Sequence, residues 1–164
     1  MQDNSFKNQL LTPHFRLREF TASRTASEHN IVNVPSELEV ENLRRLCEGC
    51  LEPLREKLGL PVIITSGYRC QRLNEILVHA ARRSQHMAGQ AADFYVGKGS
   101  REELIEAFRL IITSESIDYD QLIIYPRFIH VSYVSRERNR RKLTRAFANG
   151  SYAALSRSQA LSIS

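Results

Sequence analysis

Two periodicities that belong to different kinds of element lie side by side in this chain. Apolar residues recur at steps of three and four through Leu43, Leu46, Cys47, Cys50, Leu51, Leu54 and Leu58, with charged residues between them. That is one apolar face of a helix. Just past Gly59 the pattern becomes Pro61-Val62-Ile63-Ile64-Thr65, a short β-branched run that reads as a buried strand. The helix has a start signal, Ser36 with Glu39 three residues later, which is a capping box. Pro53 lies inside it, lacks an N–H, and predicts a kink or break near Glu52.

The rest of the chain repeats both patterns. Leu73, Ile76, Leu77 and Ala80 predict a helix over 71–81, and Phe94-Tyr95-Val96 a second strand. Ser100 and Glu103 form another capping box before Leu104, Ile105, Phe108, Ile111 and Ile112, an amphipathic helix. Gln121 to Tyr125 and Phe128 to Val134 are strand runs, and Pro126-Arg127 between them is short enough for a hairpin. Helices come first, then strands mixed with helices and no regular βαβ rhythm. The expected class is α+β, with a small, mainly antiparallel sheet and flanking helices.

At 164 residues the chain is the size of one domain. The expected divisions are a flexible leader over 1–13, the domain proper over 14–147, and a Ser/Ala-rich tail over 148–164 that is frayed or helical. The longest apolar runs, such as Leu122–Tyr125, fall far short of the ~20 residues that span a bilayer, so no membrane span is expected. The opening MQDNSFKNQL has no apolar signal segment, which predicts a chain that is cytoplasmic at synthesis. Cys47 and Cys50 form C-x-x-C, normally a metal or redox signal. Here they sit in an apolar helical stripe, no second C-x-x-C follows, and the cysteine count of three is odd. Free buried thiols are the expectation.

The net charge of +5 is local, because residues 136–145, RERNRRKLTR, hold six Lys/Arg against one Glu. Such a run attracts polyanions, or it is simply a solvated helix face. No aromatic residue interrupts it, so there is no base-stacking platform and no nucleic-acid partner is expected.

Among five histidines, His86 and His130 have unusual neighbours. His86 stands in Ser84-Gln85-His86-Met87-Ala88-Gly89-Gln90-Ala91-Ala92-Asp93, and His130 in a β-branched and aromatic run, Phe128 to Tyr133. Asp93 immediately precedes an apolar strand, where a carboxylate is costly without a partner or a metal. His–Asp–His supplies three ligands for a borderline-soft divalent ion, the protein share of a catalytic zinc site. A satisfied core histidine and a turn aspartate would account for each residue separately, and spacing leaves both readings open.

The segment SQHMAGQAAD resembles the S-x-H-x(2)-G-x-A-x-D signature of the zinc D-alanyl-D-alanine peptidase family, which cleaves peptidoglycan stem peptides and shares its metal site and core fold with the hedgehog signalling domain. The upstream SGYR and downstream IHVSY resemble that family too, and HFRLREF through NLRRLCEGCLEPLREKLG resembles a bacterial and phage subgroup. The resemblance covers roughly residues 14–142. It implies a hedgehog-type peptidase fold and zinc held by His86, Asp93 and His130. It also implies Arg69 at the family's arginine position near the metal, and Ser84 at a serine that contacts substrate. The implied partner is peptidoglycan or its stem peptides, met at the cell wall or periplasm after export or lysis, by a monomer. One position departs from the pattern: the family's general base, a carboxylate three residues before the last histidine, is replaced by Arg127. Asp120, at the head of the strand expected to pair with the His130 strand, is taken as the substitute base, with Glu75 as another source of the acid. If no carboxylate substitutes, the chain is a non-catalytic, zinc-containing cell-wall binding module.

Overall fold

The computed structural model describes residues 8–78 and 80–164. Residues 1–7 of the expected leader, and His79, lie outside the described residues. The chain opens with β1 (Leu10–Thr12) and β2 (Phe15–Arg16), then short helices α1 (Leu17–Thr21) and α2 (Arg24–Glu28). Leu11, Phe15, Leu17 and Phe20 all enter the main core. Residues 10–13, assigned above to the leader, are therefore part of the fold, because Leu11 has a core position to fill.

Helix α3 (Glu37–Leu46) starts at the predicted Ser36–Glu39 capping box. It continues through a π-helical turn (Cys47–Leu51) into α4 (Glu52–Leu58). The predicted disruption at Pro53 takes the form of this one wide turn. Without an N–H, Pro53 leaves the Gly49 carbonyl free, and Gly49 O accepts from the Asp118 N–H at 2.9 Å. Gly49 is also where the Tyr133 ring packs, so close that a Cβ there would overlap it. Cys47 and Cys50 are free, fully buried thiols, and burial pushes both pKa values up.

Strand β3 (Val62–Ser66) follows, then α5 (Gln71–Ile76), a 3₁₀ turn (Gln85–Ala88), β4 (Ala91–Val96), α6 (Arg101–Thr113), β5 (Gln121–Ile124), β6 (Ile129–Ser132), β7 (Lys142–Ala146), β8 (Tyr152–Leu155) and α7 (Arg157–Leu161). Helix α5 is shorter than the predicted 71–81, because Leu77 is already extended and the Asn74 side chain folds the chain back by donating to Ala81 O at 3.0 Å.

Six strands form one mixed sheet in the order β3-β4-β6-β5-β7-β8. Every neighbouring pair is antiparallel except β5–β7. Strand β6 ends beside the start of β5, and the 133–141 loop steps across that end, so β7 starts level with β5 and runs parallel to it. The basic run thus forms a loop and a strand, which corrects its reading as a helix face. The tail is also built in. Strand β8 extends the sheet and α7 buries Ala160, with Ile163 just beyond it also buried.

Successive strand residues point to opposite faces. One face of the sheet, with Val62, Ala92, Phe94, Leu122, Ile124, Ile129, Val131 and Leu143, packs with Leu43, Leu46, Leu104, Phe108 and Ile111 in the main core. Fully burying side chains of this size is worth about 1.5–3 kcal/mol each. The alternate residues form the open face, and Asp93 and His130 are among them.

Candidate metal centre

Asp93 on β4 and His130 on β6 are direct cross-strand partners. The ladder alone brings these two side chains together, and His130 Nδ1 lies 2.8 Å from Asp93 Oδ1. His86 arrives from the 3₁₀ turn above the sheet. Ser84 caps that turn by accepting the His86 N–H at 3.3 Å, and Gly89 closes it with φ +66, at a point where a Cβ would collide with the Glu39 carbonyl. Asn42 of α3 ties the turn down by donating to Ala88 O at 2.9 Å.

His86 is buried, and its Nδ1 donates to the Gly67 carbonyl at 2.7 Å. That bond places the ring proton on Nδ1 and leaves the Nε2 lone pair facing inward. Nε2 lies 3.3 Å from both Asp93 Oδ1 and His130 Nδ1. Among the described residues these three side chains are the group able to hold a metal ion.

The residues fit a zinc ion on two grounds. Ligands about 2.0–2.2 Å from a tetrahedral zinc lie about 3.3–3.6 Å from one another, close to most of the separations here. In addition, burial lowers the His86 pKa more than Asp93 raises it, which keeps the ring neutral. A neutral Nε2 lone pair then faces a carboxylate oxygen, two acceptors with no proton to share, and a cation between them removes that conflict.

The second Asp93 oxygen accepts from Arg69 Nη2 at 3.1 Å. Arg69 is anchored in turn, with Nε and Nη2 donating to Ser66 Oγ at 3.1 and 3.0 Å. Ser66 pairs with Asp93 across β3–β4. Burial works to raise the Asp93 pKa, but the His130 and His86 rings beside it outweigh that and hold the carboxyl well below its usual range. Burial lowers the Arg69 pKa, against the pull of Asp93. The loop that carries Arg69 is clamped by Asn33, which donates to Tyr68 O at 3.0 Å and accepts from the Cys70 N–H at 2.8 Å.

Asp120 is not available as the base proposed for it. Its Oδ1 accepts from the Arg140 backbone N–H and Nε, each at 2.9 Å, and its Oδ2 accepts from Arg140 Nη2 and from Gln85 Nε2. Both oxygens are taken, and the Arg140 hydrogen bonds pull the pKa down to about 2, too low to draw a proton at neutral pH. Arg127 is exposed at the tip of the β5–β6 hairpin. Glu75 sits on α5, accepting from Gln71.

Sequence reasoning missed Ser66, Gly67, Asn33 and Gln85, which position the site through a hydroxyl, a backbone carbonyl and two side-chain amides. Ser66 and Gly67 stood inside the quoted SGYR motif, but nothing in their type marked what they bind. Gln85 fell at a variable position of the SQHMAGQAAD signature, and nothing in the type of Asn33 marked its two partners.

No curated protein matches the chain. The sequence profile of the Peptidase M15 family matches residues 13–132. That span starts just before β2 and ends with β6, so it contains His86, Asp93 and His130 and the elements that carry them, and members of this family are metal-dependent, typically zinc, peptidases. With the His–Asp–His group assembled as such a peptidase requires, the chain belongs to the Peptidase M15 family.

Proposed function

We propose that the protein is a zinc peptidase that hydrolyses peptide bonds of peptidoglycan, either D-Ala-D-Ala or a stem-peptide bond. The observation that carries this reading is the convergence of His86 Nε2, Asp93 Oδ1 and His130 Nδ1 on one point of an open sheet face, in a member of a metallopeptidase family. A zinc ion held there supplies Lewis acidity and a hydroxide source at neutral pH. Gly67 O fixes the His86 tautomer, and Arg69 neutralises Asp93 and sets its orientation. The Arg69 Nη1 donors take no protein partner among the described residues, which leaves them for a substrate carboxylate or a developing oxyanion. Ser84, which caps the same turn, is assigned to substrate contact in this reading.

The test is incubation of the zinc-loaded full chain with muropeptides, with and without chelator, read by mass spectrometry. New fragments that chelator abolishes support the reading, and an unchanged profile at stoichiometric zinc overturns it. The commitment of Asp120 to Arg140, together with Arg127 at the family's base position, favours a second reading: a zinc-containing module that binds the wall without turnover. Zinc-dependent retention on insoluble peptidoglycan with no new products distinguishes it.

A further inference from the structure

The register of the sheet places a row of aromatic side chains beside the metal ligands. One row across the open face runs Ser66, Asp93, His130, Ile123, Thr144 and Ala154. Two residues further along the strands, the next row is Ile63, Tyr95, Phe128, Tyr125, Ala146 and Tyr152. Ile63 pairs with Tyr95 and Ala146 with Tyr152, Tyr125 bonds to Phe128 across the hairpin, and the intervening positions follow from the ladders. The spacing between rows is about 6.6 Å, one pleat period.

This row carries no charge. Tyr125 and Phe128 are stacked, with centroids 4.2 Å apart and planes 11° apart. Tyr152 stands edge-on to Tyr125 at 6.1 Å, and their hydroxyls are 3.3 Å apart. Tyr152 is 59% exposed and Ile63 38%. Phe128, Tyr125 and Tyr152 lie outside the main core cluster, so packing does not explain them. The register puts the ledge and the His–Asp–His group on the same face of the sheet, one pleat period apart.

We propose that this ledge is a sugar subsite: Phe128, Tyr125 and Tyr152 bind a pyranose ring of the glycan strand that carries the stem peptide, while the peptide lies over the metal row. The inference rests on the peptidoglycan reading above. A pyranose has an apolar C–H face and a rim of hydroxyls, and it is matched by neutral aromatic faces with phenolic O–H groups beside them. Stem peptides are rich in small and charged groups, and Arg69 with the ligand cluster already meets those. The strongest competing occupant, a second copy of this chain, requires an apolar patch on both partners and is separated by the experiment.

The zinc-loaded full chain is compared with its Tyr152→Ala and Phe128→Ala variants on two substrates, a disaccharide-linked muropeptide and the same stem peptide without sugar. The wild type is expected to prefer the sugar-bearing substrate in kcat/KM, and each variant to reduce that preference by about tenfold or less, toward one. Peptide-free glycan strands are titrated in parallel, and their binding is expected to weaken with the same variants. An equal rate on both substrates in the wild type, or a preference that survives both variants, overturns the proposal. If the wild type cleaves neither substrate, the peptidase reading fails, and glycan binding lost in Tyr152→Ala still supports the ledge while absent glycan binding overturns it. A sedimenting dimer that Tyr152→Ala dissolves assigns the ledge to self-association and also overturns it.

Discussion

Asp93, within β4, and Asp120, just ahead of β5, are two aspartates largely held out of solvent, each with an arginine against it, and they do opposite things. Asp120 accepts three hydrogen bonds from Arg140 and one from Gln85. Every partner is an obligate donor, so its lone pairs are spent. Its neighbour Asp118 is similar, accepting from Arg141 Nε at 2.8 Å and Asn139 Nδ2 at 2.9 Å. Asp93 gives one oxygen to Arg69 and turns the other toward two imidazole nitrogens. One of these, His86 Nε2, is an acceptor because Gly67 fixes the proton on the far side of the ring. The difference lies in the donor inventory. A carboxylate matched by donors holds structure together, and one facing other lone pairs calls for a cation.

The comparison predicts crossed effects. His86→Ala and Asp93→Asn should both lose zinc altogether by elemental analysis, and activity with it. Zinc at a hundred times its dissociation constant adds about 2.7 kcal/mol to the stability of the wild type. At about 2–4 °C per kcal/mol for a chain of this size, that is a rise in Tm of about 5–10 °C, and neither variant should show it. Zinc bound stoichiometrically by Asp93→Asn would break the comparison at its first step.

Asp120→Asn should do the reverse, keeping full zinc loading while losing stability. The folded pKa of about 2 lies below the ordinary value of 3.8, so the charged form stabilises the fold above pH 4. That contribution fades as the pH falls through 2 and is worth about 2 kcal/mol when fully present. The Tm gap between wild type and Asp120→Asn should thus be widest at neutral pH and close by pH 2. A gap that does not change with pH would show that Asp120 acts by packing instead of charge.

The three candidate ligands were legible in the sequence through the motifs SQHMAGQAAD and IHVSY, since a histidine and an aspartate beside apolar strands left two readings open, and the structure brings the three side chains together. The helical stripe, the capping boxes and the β5–β6 hairpin were legible for a similar reason, since each is a local pattern. Asp120 was misjudged because strand pairing alone placed it near His130, while the partner that saturates it comes from Arg140, across a loop whose path no local pattern sets. The basic run misled in the same way. It reads as free charge, yet Arg140 and Arg141 are spent on Asp120 and Asp118. The aromatic row was invisible because it gathers residues from β3, β4, the β5–β6 hairpin and β8, and only the register aligns them. Leu11 and Ile163 lay beyond the periodic stretches, and nothing short of the assembled core reveals that each has a place in it.

Gln85→Ala probes the link that Gln85 makes between the two carboxylate clusters and should have the smallest effect. Its side chain donates to Asp120 Oδ2 at 2.9 Å, while its backbone leads directly into His86. Removing a single hydrogen bond to a charged group costs about 1.5–3 kcal/mol in general. Asp120 keeps its three Arg140 bonds, so about 1 kcal/mol is expected here, read as a Tm lower by about 2–4 °C. Loss of a direct outer-shell partner weakens a metal site 10–100-fold. Gln85 is one step further removed, since the Ser84 cap, the Asn42 tether and the Gly67 acceptor all remain to hold the turn. Zinc affinity by competition titration should therefore fall only a few-fold. A loss of about 10–100-fold would mean that the Asp120–Arg140 clasp aims His86, and the two clusters would then be one machine. An unchanged affinity alongside the lower Tm would confirm that the closed carboxylate serves the fold alone.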